Sequence, residues 1–210
     1  MDDAQVRRWM AIAGLAFVVL LVLTFTITTQ VNTTASAAKV VGSVHKHKTE
    51  LTISALVIGA AVFVGLFFGG YLREHLSTVA INRRLATIAY AGLIVAATSG
   101  ALDAGIRIAM ADAVDHVNPL VVQTLNVLQN DLTGISGSVG FSVFALANGL
   151  AIVRNGPLPK WVGWAGVVLG ILALPIGAPA GGLWILLASI ALLTGTGRRT
   201  GVPASLSPAV

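Results

Sequence analysis

An acid and a base stand one helical turn apart in the stretch "ATSGALDAGIRIAM", Ala97 to Met110, near the end of a long apolar run. On a helix, Asp103 and Arg107 occupy the i, i+4 spacing at which opposite charges meet. A lone charge at mid-bilayer costs about 2.5–3.5 kcal/mol or more, depending on the scale. A partner at i+4 offsets part of that cost. The pair is therefore either a structural tie that fixes helix register or a binding or ion-handling site, the default for ionisable groups inside a membrane.

A helical projection locates the pair. With 3.6 residues per turn, Gly92, Ala96, Ser99, Gly100 and Arg107 fall within about 60° of Asp103. Ile94, Val95, Leu102 and Ile108 point elsewhere. The charges thus lie on the small-residue stripe, which packs against neighbouring helices. Asp103 lies about 10 Å below the far end of its span. Other spans are polar at a similar depth: Thr26, Thr28 and Gln30, then Thr52 and Ser54, then Ser136 and Ser138. Asn148 is the exception in the opposite half. The expectation is an outward-opening polar pocket on spans one to four, with Asp103, Arg107, Ser99, Gln30 and Ser138 as its binding residues.

A second constellation is possible outside the membrane. His45 and His47 lie in "HKHK", and Asp112, Asp115 and His116 in "DAVDH". Imidazole with carboxylate suits zinc or copper. The interleaved Lys46 and Lys48 oppose a cation, and the plain alternative is a solvated charged loop. No histidine lies inside a span, so paired axial haem ligation is not expected, and no cofactor is expected. The chain has no cysteine, which removes thiolate chemistry and disulfides. It has no Gly-rich phosphate loop, nucleophile elbow or metalloprotease helix motif.

The elements that carry these residues follow from composition. The 210 residues are 56% hydrophobic and only 10% charged, with mean hydropathy +0.88. Soluble domains are about one quarter charged, so the class is integral membrane. Six apolar runs qualify as helices of an all-α bundle: about 11–31, 51–72, 85–110, 133–153, 161–176 and 182–196. The last two are short and could form a hairpin that dips in and returns. A polar outer loop is expected over 32–50, and the other large outer element over 111–132, whose helical part is either an interfacial helix or, preferred, an extension of span four beyond the bilayer. A helical element over 118–132 is capped by Asn118 with Pro119 at its first position. Val121, Leu125, Leu128 and Leu132 share one of its faces, and Gln123, Asn126 and Asn130 the opposite one. The tail, 198–210, is expected to be flexible.

Charge sets the orientation. Arg7, Arg8, Arg73, Arg83, Arg84, Arg154, Lys160, Arg198 and Arg199 fall on the side of the N-terminus, and Lys39, Lys46 and Lys48 on the other. Nine against three places both termini in the cytoplasm and the protein in the plasma membrane. The same bias accounts for the net charge of +5, so no nucleic acid is needed to explain it. Trp9, Tyr71, Trp161 and Trp164 are expected at the inner interface and Trp184 at the outer one. "RRWM" followed by an apolar run and "ASA" imitates a signal peptide, but the run is longer than a usual signal core, so an uncleaved first helix is expected. Small residues four apart (Gly65 and Gly69, Ala101 and Gly105, Gly166 and Gly170) and Gly134, Gly137 and Gly140 read as close helix packing in a monomeric bundle.

From span four onward, "FSVFALANGLAIVRNGPLPKWVGWAGVVLGILAL" and "GGLWILLASIALL" resemble the C-terminal half of an uncharacterised family of bacterial, actinobacterial-type, membrane proteins. The shared element is small–Pro–x–Pro–basic–Trp–x–Gly–Trp, Gly156 to Trp164. Pro157 and Pro159 stop span four, Lys160 is an inside charge and the tryptophans anchor span five. The resemblance implies six membrane helices and no known activity.

Three functions compete. The leading expectation is a non-enzymatic accessory or interaction subunit of a larger membrane assembly, because no catalytic constellation is present. The second is a transporter or receptor for a small solute or lipid at Asp103 and Arg107. The third is a metal-dependent membrane enzyme using His45, His47 and His116.

Overall fold

A computed structural model describes residues 2–27 and 31–195. Gln30 and the tail 198–210, both singled out above, lie outside the described residues. Among the described residues eight α-helices follow one another: α1 Asp3–Ile27, α2 Ala37–Lys46, α3 Lys48–Ser77, α4 Arg83–Ala113, α5 Pro119–Leu128, α6 Gly134–Asn155, α7 Lys160–Ile176 and α8 Ala178–Thr194. A 3₁₀ turn, Ala80–Asn82, leads into α4. A π-helical turn, Gln129–Thr133, fuses α5 and α6 into one rod. No strand occurs among the described residues.

Helices α1, α3, α4 and the α5–α6 rod are long and apolar enough to cross a membrane. α7 and α8 have 17 residues each. At 1.5 Å per residue each is about 25 Å long, short of a hydrocarbon core of about 30 Å. A single residue, Gly177, joins them, at φ 80° and ψ −148°. That conformation favours glycine, which has no Cβ to clash.

The six rods close into a ring. α1 packs on α3, α3 on α4, α4 on α6, α6 on α7, α7 on α8, and α8 on α1. Successive rods run antiparallel, so Arg7, Arg73, Arg83, Arg154 and Lys160 collect at one end, the basic end. α2 and α5 pack together over the other end. There Val40, Val44, Leu51, Met110, Val114 and Val122 form a small apolar core of their own.

Glycines set the closest approaches. A Cβ on Gly149 would stand 2.6 Å from the Val167 nitrogen, one on Gly170 2.6 Å from the Leu146 nitrogen, and one on Gly140 2.4 Å from the Ala96 nitrogen. Backbone cannot yield as a side-chain end can, so these three contacts fix the α4–α6–α7 spacing. Gly65 and Gly69 lie instead against side chains, those of Phe17 and Leu93. The Ala101 and Gly105 pair is different: Ala101 is exposed and a Cβ on Gly105 would meet nothing within 4 Å. Its spacing repeats without marking an interface.

Two expectations need correction. Residues 32–50 are not a plain polar loop. They contain α2, because Val40 and Val44, one turn apart, dock against Leu51 and Met110. Of the two faces that the sequence separates on α5 and the turn after it, the polar one turns inward. Val121, Leu128 and Leu132 are exposed, while Asn126, Gln129 and Thr133 are buried. Trp184 is no interface anchor. It is fully buried against Phe144 and donates from Nε1 to the Val162 carbonyl at 3.2 Å. Trp9, Trp161 and Trp164 are more than half exposed.

Candidate functional site

Helix α4 carries the charged pair as its sequence projects it. Gly92, Ala96, Ser99 and Arg107 are buried, and Ile94, Val95, Leu102 and Ile108 are exposed. The Arg107 guanidinium donates from Nε to Asp103 Oδ2 at 3.1 Å, and Nη2 lies 3.1 Å from the same oxygen. Nη1 donates to Ser54 Oγ on α3 at 3.1 Å. The Arg107 side chain is 4% exposed and that of Asp103 17%, so the carboxylate is the more reachable partner. Gln129 lies against that carboxylate.

The π turn brings the polar face of α5 to this pair. A π-helical turn inserts one extra residue per turn and occurs frequently at functional sites. Here Thr133 Oγ1 bonds back to the Gln129 carbonyl. Ser99 Oγ reaches across from α4 to donate to the Thr133 carbonyl at 2.6 Å. Ser136 Oγ donates to Ser99 Oγ at 3.1 Å. The irregular turn is thereby stitched to the helix that holds Asp103.

These groups line a cavity of about 400 Å³. The pocket expected on four spans is built by all six rods. Its polar part holds Asp103, Arg107, Gln129, Asn130, Ser99, Thr133, Thr24 and Ser138. Towards the basic end the lining becomes apolar: Phe17, Ala61, Gly65, Leu93 and Phe141. The rings of Phe17 and Phe141 approach to 6.2 Å between centroids and form the floor. Beyond the floor, Phe68, Phe144, Leu72 and Trp184 are packed to under 2% exposure. Of the five residues expected to bind, the structure gathers Asp103, Arg107, Ser99 and Ser138. Gln129, Asn130 and Thr133 are not among the expected site residues, because the sequence separates the two faces of this element without showing which one meets the bundle.

The histidine constellation is not assembled. Asp115 Oδ1 lies 3.1 Å from His45 Nδ1, and Asp115 Oδ2 accepts from Lys48 Nζ at 2.9 Å. His47 pairs with Glu50 instead, at 3.3 Å. Asp112 and His116 are exposed. Among the described residues no three His, Asp or Glu side chains come together as a metal site. The Lys48 ammonium, first, and His45 after it hold the Asp115 carboxyl below its ordinary range. The cluster is an electrostatic clasp between the start of α3 and the loop after α4.

Comparison with known protein families, with curated proteins and with solved structures finds no match. The function is therefore read from the site's own geometry.

Proposed function

We propose that this chain is a plasma-membrane binding protein for a small, uncharged amphiphile, held in the cavity at Asp103 and Arg107. Its six apolar rods cross or nearly cross the bilayer, with both termini cytoplasmic, as the clustering of Arg and Lys at the basic end supports. The observation that carries the reading is a cavity of ligand size, graded from polar to apolar along its length.

The site's charges select the ligand class. Asp103 and Arg107 neutralise one another, and the remaining polar lining is amide and hydroxyl. An anionic headgroup would meet the more exposed Asp103, and a cationic one would have to compete for that carboxylate with the Arg107 guanidinium already bound to it. A headgroup of hydroxyls, amides or carbonyls can bond to both and to Gln129 or Asn130, while its apolar part lies on Phe17 and Phe141. An accessory subunit, the leading expectation from sequence, has no need of such a cavity. A transporter needs a continuation past the floor, and the packed basic half favours binding over passage.

Thermal unfolding in lipid nanodiscs tests the proposal. Dodecanoyl glycerol should raise the midpoint, and dodecanoate and dodecylamine should do so less. A ligand at 100 times its Kd stabilises by about 2.7 kcal/mol. Ala97→Phe, which fills the cavity, should abolish the shift. Equal shifts with all three probes, or a shift that survives Ala97→Phe, would overturn the reading.

A further inference from the structure

The route into the cavity is legible in the lengths of the helices. Gly177, at the α7–α8 turn, is level with Ser138: a Cβ on Gly177 would lie 3.1 Å from Ser138 Oγ. From Ser138 the α5–α6 rod continues for ten residues to Leu128, about 15 Å further. Leu132 and Ile135 on that stretch are exposed and apolar, as lipid-facing residues are, and the exposed Asp131 just beyond them marks the boundary with water. The α7–α8 turn therefore lies beneath the level the rod reaches, inside the hydrocarbon. Its sequence agrees, since "PIGAPAGG", Pro175 to Gly182, has no charged or hydrogen-bonding side chain.

A short hairpin leaves a gap above itself. α8 packs on both α1 and α6, and the contact between α1 and α6 themselves lies deep in the bundle, at the rings of Phe17 and Phe141. Above Gly177 no described helix spans the space from Phe25 on α1 to Gly134 on α6, and both line the cavity. Over the top, the chain from Val31 to Ala35 is tied to α5: Gln123 Nε2 donates to the Ala35 carbonyl at 2.8 Å and Asn126 Nδ2 to the Val31 carbonyl at 3.3 Å. The rim is Phe25, Ile176, Pro179 and Gly134. Phe25 is 49% and Ile176 55% exposed. Ser138, beside the turn, spends its hydroxyl proton on the Gly134 carbonyl at 2.7 Å, so this edge of the mouth is predominantly apolar.

We infer that the cavity opens sideways into the outer leaflet, through a window above the α7–α8 turn between α1 and α6. Its ligand is then a molecule dissolved in the membrane that slides in laterally, its polar head towards Asp103 and Arg107. This inference rests on the proposed binding function for its ligand, but the window itself can be tested without one.

Because the chain has no cysteine, a single cysteine can be labelled cleanly. Gly134→Cys places a nitroxide at the rim, where a Cβ meets nothing within 4 Å. In nanodiscs, relaxation of the label by oxygen, which concentrates in hydrocarbon, is compared with relaxation by a water-soluble nickel chelate. Ile135→Cys serves as the lipid reference and Asp112→Cys as the aqueous one. The window predicts an oxygen-to-nickel ratio at position 134 that matches Ile135→Cys. A ratio matching Asp112→Cys overturns it. Dodecanoyl glycerol is then added. Immobilisation of the Gly134→Cys label supports capture at this window. A nickel-accessible label that is still immobilised sinks the lateral route and leaves the binding function standing. An oxygen-accessible label indifferent to the probe, with no thermal shift, sinks the binding function and leaves the window as a surface feature.

Discussion

Arg107 closes two contacts of 3.1 Å on one oxygen of Asp103 and spends a third donor on Ser54 of the next helix. The acid is thus saturated from one side and open to the cavity from the other. The pair ties α4 to α3 and gives the cavity its polar pole at the same time.

Removing one charge is expected to cost more than removing both. Breaking a buried pair leaves an uncompensated charge, at about 3–5 kcal/mol, whereas replacing both partners by apolar groups can be nearly neutral. Asp103→Leu and Arg107→Met should each destabilise strongly, and the two together should recover most of the loss. A double-mutant cycle of unfolding free energies in nanodiscs measures the coupling. Additive losses would show that the pair is not energetically linked.

Backbone-limited glycines should separate from open ones. Gly149→Val drives a side chain into the Val167 nitrogen, and overpacking of this kind costs about 1–3 kcal/mol. Gly105→Ala meets empty space and should leave the thermal midpoint unchanged or raised. The two variants, unfolded side by side, check whether α6–α7 contact or simple glycine spacing holds the bundle.

The clasp at the α2–α3 junction should be acid-sensitive. Lys48, with His45, depresses the Asp115 carboxyl below the ordinary value of 3.8. A depressed acid stabilises the fold above its ordinary value and loses that contribution as the pH falls through its folded value. Wild type should therefore be more stable than Asp115→Asn at neutral pH, and the gap should close below about pH 3.8. Thermal unfolding of both across that range tests the sign. A gap that widens on acidification would refute the clasp.

The site was legible where one helix determines it. The stripe from Gly92 to Arg107 follows from 3.6 residues per turn alone, and so does the depth of Asp103. What lay outside reach depended on the solvent. The pattern Val121, Leu128, Leu132 means core in water and outside in lipid, so periodicity alone left open that Gln129 and Thr133 face the bundle. Trp184 obeyed a hydrogen bond to Val162 instead of the preference of tryptophan for interfaces. The window needed the relative heights of Gly177 and Leu128, which no single stretch of sequence contains. The docking of α2 likewise required Met110 and Val122, distant in the chain.

The central claim is that the cavity at Asp103 and Arg107 holds a small uncharged amphiphile. Native mass spectrometry of the protein extracted from its own membrane, beside Ala97→Phe, tests it most directly. The account predicts one added mass of an apolar-tailed, uncharged molecule on the wild type, absent from the variant. A wild type with no such mass, carrying instead a second protein at fixed stoichiometry in both samples, would contradict it and restore the accessory-subunit reading.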